Sequence, residues 1–202
     1  SVDMLTDSLG DNVDPRTRNY LNKIESAAES MLRLIRDVLA FSHITSVNQL
    51  NEKVDLNLIL EYVKNDFDLL LEQKDCTIEN STLPVVEANP VQMSQLFRNL
   101  ISNSLKFTSN DRKPHLSITC RLMSPHELHK RKLREHIPHY IISFTDNGIG
   151  FHQANAKQIF DIFKRLHSKS EFEGTGIGLA MCKKIAQNHN GDIYAESAPD
   201  KG

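Results

Sequence analysis

Residues 95–108, which read QLFRNLISNSLKFT, form the first of three segments that together indicate the architecture of this chain. Asn99, Asn103 and Lys106 are spaced four and three residues apart, so they share one face of a predicted helix. Amide oxygens can bind a hard cation such as Mg²⁺, and an ammonium group can bind phosphate. An ordinary polar helix face has the same pattern, so this segment alone leaves both interpretations open.

The second segment, Asp146-Asn147-Gly148-Ile149-Gly150, follows a predicted strand. The carboxylate of Asp146 can accept a hydrogen bond from an exocyclic amine such as that of adenine. Gly148 and Gly150 allow the backbone to approach a flat ring closely. Because Asn-Gly is a common turn dipeptide, a simple tight turn is the alternative.

The third segment, Gly174-Thr175-Gly176-Ile177-Gly178-Leu179-Ala180, leads directly into a predicted helix. The N–H groups and the positive end of the helix dipole favour phosphate at such a position. The segment is not a P-loop, which reads GxxxxGK[ST], and no strand leads into it as in a dinucleotide fingerprint. A flexible lid hinge is the alternative, and it is compatible with phosphate binding.

Residues 159–167, which read IFDIFKRLH, lie between the second and third segments. Phe160 and Phe163 are three residues apart and are predicted to pack on one side. Lys164 and Arg165 follow them. This pattern predicts a movable flap that carries cations toward a polyphosphate and excludes water.

A long helix is predicted to begin at Asp14-Pro15, because Asp caps helices and Pro is tolerated at the first helical position. Its apolar residues alternate three and four residues apart: Leu21, Ile24, Ala28, Met31, Ile35 and Val38. This heptad spacing predicts packing in a helical bundle with another copy of the chain or with helices outside this sequence. A helix packed on its own domain is the alternative.

The polar residues 47–53 predict a linker, and residues 54–202 predict one domain of helices and strands. The predicted helices span residues 56–74, 89–107 and 177–189, and the predicted strands span 76–79, 85–86, 115–121, 140–145 and 192–196. In the second of these helices, Leu96, Leu100 and Leu105 are predicted to face the core. Residues 122–139 contain four histidines, but they have no cysteine and few acidic residues, which favours a solvated excursion over a metal site.

The composition excludes several classes of protein. Hydrophobic residues make up 39% of the 202 residues, which is enough for a packed core. The net charge of −2 argues against a nucleic-acid binder with a broad basic face. The three cysteines lie far apart and predict reduced thiols in a cytoplasmic domain. No apolar run approaches the ~18 residues of a membrane span, so membrane contact is expected only through parts outside this chain.

The four segments occur in the order of the N, G1, F and G2 boxes of bacterial sensor histidine kinases. Residues 54–202 resemble this family, within the wider group of ATPases that includes Hsp90, MutL and gyrase. The run at 159–167, with the glycine loop and the AMCKKI sequence at 180–185, is most similar to the kinase modules of phytochrome-type photoreceptors. The resemblance implies an α+β fold: a two-layer sandwich of a mixed, mostly antiparallel sheet with helices on one face, preceded by a bundle-forming helix.

The resemblance also implies ATP and Mg²⁺ as ligands, with a role for each matching residue. Asn103 would be the Mg²⁺ ligand, and the catalytic group would comprise Asn99, Lys106 and Arg165. The adenine or ribose side would be lined by Phe107, Asp146, Gly148 and Gly150. The phosphate side would be lined by Lys106, Lys164, Arg165, Gly174, Thr175, Gly176, Gly178 and Leu179.

Residues 1–46 resemble the C-terminal part of the dimerisation and phosphotransfer hairpin of these kinases, with Val2–Leu9 as the end of its first helix. No histidine precedes His43, which lacks the sequence context of a phospho-acceptor, so the acceptor is expected upstream of residue 1. A further strand is typical of the family after the position of Gly202. The implied partners are a second copy, through the hairpin, and the receiver domain of a response regulator, with no nucleic acid.

Three other functions remain alternatives. A nucleotide-gated switch, as in the chaperone and topoisomerase relatives, and a Ser/Thr kinase would use the same ATP fold. The heptad helix favours the histidine kinase over both. A module that only scaffolds partners is the third, and the presence of Asn103, Asp146 and the glycines at 174–178 argues against it.

Overall fold

The computed structural model describes residues 14–46, 51–109, 111–131, 137–166, 172 and 174–202. The helices are α1 (Pro15–Ser46), α2 (Leu56–Gln73), α3 (Pro90–Lys106), α4 (Pro125–Lys130) and α5 (Gly178–Asn188). The strands are β1 (Glu52–Asp55), β2 (Thr77–Asn80), β3 (Val85–Ala88), β4 (His115–Leu122) and β5 (Tyr140–Asp146). The predicted hairpin residues Val2–Leu9 and residues 47–50 of the predicted linker lie outside the described residues.

Helix α1 begins where the sequence predicts. The side chain of Asp14 accepts hydrogen bonds from the N–H groups of Arg16 and Thr17, at 2.8 and 3.1 Å, which caps the first turn. The hydroxyl of Thr17 also donates to this carboxylate, and these hydrogen bonds hold the pKa of Asp14 below its usual value. Along the helix, the predicted heptad residues Ile24, Met31 and Ile35 are all more than half exposed. The apolar seam therefore has no partner within the described chain.

The C-terminal end of α1 is attached to the rest of the molecule through α5. Ile44 is buried in the main core, and Ala40 and Phe41 pack against that core. The side-chain amide of Asn188 donates a hydrogen bond to the carbonyl of Ile44 at 2.9 Å. The exposed seam and this packed end are therefore separate parts of one helix.

Strand β4 is the central strand of a three-stranded mixed sheet. β2 lies parallel to it on one side, with Ile78 opposite Leu116, and β5 lies antiparallel on the other, with Ile118 opposite Phe144. β1 and β3 form a separate antiparallel pair. The predicted α+β architecture with a mixed sheet is confirmed, and the β4–β5 register ends at Asp146, the first residue of the second glycine-rich segment.

Helix α3 lies at the centre of the helical layer and contacts both α2 and α5. Asn89 caps it by accepting a hydrogen bond from the Gln92 N–H at 3.0 Å. Its core face consists of Met93, Phe97, Ile101 and Leu105. Leu100, which was predicted to face the core, instead lines a cavity, because it is offset by one residue from the buried stripe. The opposite face of α3 is thereby directed toward that cavity.

Three other predictions about local structure need correction. Strand β1 begins at Glu52, inside the segment predicted as a linker, and the predicted excursion contains the short capped helix α4. The predicted strand at 192–196 is absent from the ladders. The side chain of Gln153 forms hydrogen bonds with the backbone of this segment and the residue after it: it donates to the Ala195 carbonyl and accepts from the Ser197 N–H. Residues 192–196 and β5 line the same cavity instead of pairing.

In the described ranges, none of the helices combines the length and the apolar character needed to cross a bilayer.

Candidate functional site

A cavity of about 870 Å³ lies between α3, the end of β5 and the loop that leads into α5. All the predicted site residues line this cavity except Asn99 and Gly148. Helix α1 also contributes to the wall, through Arg33 and Asp37. Segments that are far apart in the sequence therefore meet around one space large enough for a nucleotide-sized ligand.

Asp146 is held in a fixed orientation by two hydrogen bonds. The hydroxyl of Ser104 donates to Oδ2 at 3.0 Å, and the N–H of Gly148 donates to Oδ1 at 2.9 Å. Ser104 is buried on α3, one residue after Asn103. Each carboxylate oxygen keeps a further lone pair, so Asp146 can still accept a hydrogen bond from a ligand in the cavity.

The loop after Asp146 is fixed to the sheet and to α3. The side chain of Asn147 accepts a hydrogen bond from the His115 N–H and donates one to the Lys113 carbonyl, each at 2.9 Å. Gly148 is buried, and a Cβ atom there would lie 2.4 Å from the Phe107 carbonyl oxygen. Glycine is therefore required at 148 by close packing on the end of α3, and this packing keeps Asp146 in place.

The polar face of α3 divides into a structural part and a part that faces the cavity. The amide of Asn99 donates to the Gly178 carbonyl at 3.1 Å and accepts from Gln95 at 3.0 Å, so it ties α3 to α5. Asn103 is half-buried on the cavity wall, and its side chain has no hydrogen bond with another described residue. Of the two asparagines, Asn103 is therefore the one whose amide is placed to meet a ligand.

Lys106 and Phe107 form the wall between α3 and the glycine loop. The ammonium nitrogen of Lys106 lies 4.4 Å from the centre of the Phe107 ring, within the range of a cation–π interaction. A Cβ atom on Gly174 would lie 2.6 Å from the same nitrogen, so the lysine reaches the loop directly. The ring of Phe107 also lies 5.0 Å from that of Phe172, which gives this wall an aromatic surface.

The predicted flap and the glycine loop are joined by backbone contacts. The N–H of Phe163 donates to the Gly176 carbonyl at 3.0 Å, and a Cβ atom on Gly176 would lie 2.9 Å from the Phe163 carbonyl carbon. The guanidinium of Arg165 donates to the Phe172 carbonyl at 2.5 Å. Phe160 is buried as predicted, but Phe163 is 56% exposed. The left-handed φ of +63° at Phe163 turns the chain there, so the two rings do not share one buried side.

Helix α5 begins at the floor of the loop. Ile177 is 1% exposed and anchors the start of the helix in the core. No side chain caps its first turn, and Gly178 and Leu179 line the cavity. The first N–H groups of a helix have no partner within the helix, so this end can bind an anion.

Charged side chains of both signs line the cavity. The carboxylate of Asp146 lies at the strand end, and near the loop and flap the cations Lys106, Lys164 and Arg165 are accompanied by the carboxylate of Asp37. Within the described ranges, no group of three or more His, Cys, Asp or Glu side chains could hold a metal ion. The amide oxygen of Asn103 on the cavity wall is of a type that can bind Mg²⁺, an ion that usually completes its shell with water and with oxygens of the ligand.

Cys182 lies on α5 and is fully buried. Burial raises the pKa of its thiol to about 12, against a smaller opposing effect of a hydrogen bond with Asn99. The thiol is therefore neutral at physiological pH and unsuited to act as a nucleophile.

Several residues of the site were not predicted from the sequence, and three of them have a clear role in its geometry. Ser104 and Asn147 are adjacent to predicted residues and orient the strand-end loop. Their positions directly after Asn103 and Asp146 place them near the predicted site, but serine residues and Asn-Gly pairs are too common for the sequence to indicate a role for either residue. Asp37 contributes from α1, and no pattern in the sequence linked that helix to the glycine loop.

Comparisons with known proteins agree with this geometry. Residues 88–202 match the family described as histidine kinase-, DNA gyrase B- and HSP90-like ATPase. The phytochrome-like protein Cph1 of Synechocystis is 28% identical over 201 residues, which cover all of this chain and 25% of that protein. The chain thus spans about a quarter of the length of such curated relatives.

Two solved structures share the fold. Full-length ShkA in complex with AMPPNP has a TM-score of 0.65 at 20% identity, over 93% of this chain and 38% of that one. The histidine kinase ThkA in complex with the response regulator TrrA has a TM-score of 0.64 at 19% identity, over 94% of this chain and 50% of that one.

Proposed function

Because this chain belongs to the family of histidine kinase-, DNA gyrase B- and HSP90-like ATPases, we propose that it is the catalytic module of a sensor histidine kinase. Its cavity binds ATP and presents the γ-phosphate to a histidine side chain. The observation that carries the proposal is the arrangement of one cavity, with a fixed carboxylate at one end and an uncapped helix terminus with several cations at the other.

The adenine lies at the end of β5 in this proposal. Asp146, oriented by Ser104 and Gly148, accepts a hydrogen bond from the exocyclic amine of the base. Phe107 and Gly150 border the base or the ribose. The rigid loop makes this recognition specific, because a carboxylate fixed on two sides cannot turn to suit a different base edge.

The phosphates lie below the glycine loop. The N–H groups at the start of α5 and the side chain of Thr175 hold phosphate oxygens, while Lys106, Lys164 and Arg165 balance their charge. Mg²⁺, held by the amide oxygen of Asn103, would supply further neutralisation of the phosphate charge. This arrangement favours a reaction that depends on positioning and on charge stabilisation, as phosphoryl transfer does.

The acceptor histidine belongs to the helical hairpin of the parent protein, and the phosphate passes from it to the receiver domain of a response regulator. Two copies of the hairpin pair through the exposed seam of α1 in a homodimer. The module acts in the cytoplasm, and it is associated with a membrane only where other parts of the parent protein supply an anchor.

The proposal is tested by separating recognition of the base from that of the phosphates. Asn103→Ala should weaken ATP binding in the presence of Mg²⁺ and leave adenosine binding unchanged. Asp146→Ala should weaken the binding of both ligands. Both effects can be measured by titration calorimetry, and normal ATP binding by both variants would rule out this assignment of the site.

Phosphorylation provides a separate test. The 202-residue chain should bind ATP but acquire no base-stable, acid-labile phosphohistidine from γ-labelled ATP, since His43 is not the expected acceptor. Robust labelling of His43 would contradict this part of the proposal.

A further inference from the structure

A hydrogen bond between two described residues joins helix α1 directly to the glycine loop. The hydroxyl of Thr175 donates to Oδ2 of Asp37 at 2.5 Å, across 138 residues of sequence. Both side chains are half-buried, and both line the cavity. The loop proposed to hold phosphate is therefore fastened to a carboxylate of the preceding helix.

A second contact fixes the direction of α1 relative to α5. Ile44, seven residues or about 10 Å along α1 from Asp37, accepts a hydrogen bond from Asn188 at the other end of α5. α1 thus runs beside α5 in the same direction, from the glycine loop toward the end of that helix. A change in the position of α1 must change the Asp37–Thr175 contact, the Ile44–Asn188 contact, or both.

The Asp37 contact opposes the binding of a polyphosphate in two ways. It uses a hydroxyl donor that would otherwise be available to a phosphate oxygen. It also places a negative charge on the wall of the same cavity, where it repels a phosphate through a medium that screens less than bulk water. Lys106, Lys164, Arg165 and Arg33 line the cavity as well, so the repulsion is reduced but does not vanish.

We propose that Asp37 is an inhibitory latch: while its carboxylate holds Thr175, the cavity binds a nucleoside triphosphate weakly, and binding of the triphosphate releases the loop from α1. The inference rests on the proposed function, because it assumes that the cavity binds ATP. By thermodynamic linkage, ATP then loosens the contact between α1 and the loop by the same factor by which the contact weakens ATP binding. The position of the helical hairpin and the occupancy of the ATP site would control each other in this way.

The test compares the 202-residue chain with Asp37→Ala and Asp37→Asn. Alanine removes both the hydrogen bond and the charge and is well tolerated in a helix, whereas asparagine removes only the charge. Glu29→Gln is the matched control, since it removes one negative charge from an exposed position of α1 that does not line the cavity. Titration calorimetry with ATP and with adenosine measures binding, and hydrogen exchange without nucleotide measures protection of residues 174–178.

We expect Asp37→Ala to tighten ATP binding roughly tenfold, as for the loss of one competing hydrogen bond to a charged group. The affinity of Asp37→Ala for adenosine should stay unchanged. Asp37→Asn should show a smaller increase in affinity for ATP, and Glu29→Gln should bind ATP with the affinity of the parent chain. Exchange at residues 174–178 should be faster in Asp37→Ala. Unchanged or weaker ATP binding, or equal tightening for adenosine, would overturn the latch.

If neither the parent chain nor the variants bound any nucleotide, the proposed function would fail and the inhibitory role would fail with it. The exchange data would then still decide the structural half of the inference. Unchanged exchange in Asp37→Ala would show that Asp37 does not hold the loop.

Discussion

Replacing Asp146 by asparagine tests whether this side chain reads the exocyclic amine of adenine. The Gly148 N–H requires an oxygen acceptor, so the asparagine oxygen must take the place of Oδ1. The new NH₂ group then replaces Oδ2, where the hydroxyl of Ser104 can turn to accept a hydrogen bond from it. The variant should therefore fold normally while offering the ligand a donor in place of the acceptor Oδ2, and while leaving only a neutral amide oxygen at the Oδ1 position.

The expected effect follows from the loss of one hydrogen bond to a charged group, about 1.5–3 kcal/mol. This corresponds to ATP binding that is roughly 10- to 150-fold weaker. Inosine triphosphate carries a carbonyl where ATP carries the amine, so it should bind poorly to the parent chain and better to Asp146→Asn. The preference for ATP over inosine triphosphate should therefore fall sharply or reverse.

Titration calorimetry with both nucleotides measures this preference directly. Ser104→Ala is the matched control, because it removes one of the groups that orient Asp146 but keeps the carboxylate. It should weaken ATP binding without reversing the preference between the two nucleotides. If Asp146→Asn retained the parent preference for ATP, the base would not be read at this position.

Further predictions concern the glycine loop, the buried thiol of Cys182 and the half-buried imidazole of His189. Gly176→Ala should weaken ATP binding and lower the melting temperature, because φ is +76° at this position and the new Cβ would clash with the backbone of Phe163. An unchanged affinity for ATP would argue against this arrangement of the loop. Cys182 should resist alkylation at pH 8 in the native state and react after unfolding, since burial raises the pKa of its thiol, and rapid native labelling would contradict its burial. Because burial makes the pKa of this thiol higher in the folded than in the unfolded state, its contribution to stability should decline as the pH rises from about 9 toward 12. Urea unfolding of the parent chain and of Cys182→Ala over this pH range would isolate that contribution. His189→Ala should lower the free energy of unfolding by about 1–3 kcal/mol, because the ring joins the Asn89 N–H to the Ile185 carbonyl; a loss well below this range would show that the bridge is not stabilising.

Periodicity and capping residues predicted four of the five described α-helices and four of the five described strands, but missed helix α4 and strand β1. Asp14 and Asn89 have the capping roles that their positions indicated, and the buried stripe of α3 follows from a helical repeat. The exception at 192–196 shows the limit of such patterns. Alternation of apolar and polar residues predicts which side chains turn inward, but a strand also needs a second strand with which its backbone can pair. Here the side chain of Gln153 forms hydrogen bonds with the backbone of Ala195 and Ser197.

Site residues could be predicted where the side-chain type and the helical spacing indicate the same role. They could not be predicted where contacts between distant parts of the chain determine which side chains face the cavity. Asn103 and Lys106 lie on the cavity wall as their spacing on one helix face suggested. Asn99 lies on the same face, but its side-chain amide donates a hydrogen bond to the Gly178 carbonyl at the start of α5. No local sequence pattern reveals this long-range contact. The Asp37–Thr175 contact likewise depends on how α1 lies against the domain. The domain boundaries and the individual roles of the site residues remain predictions.

We propose that one cavity holds ATP between the end of β5 and the start of α5. Titration calorimetry of the 202-residue chain with ATP, with and without Mg²⁺, measures this binding. We expect saturable binding of one nucleotide per chain, stronger with Mg²⁺ and weakened by Asp146→Ala. No binding at millimolar nucleotide, or binding that Asp146→Ala leaves untouched, would contradict it.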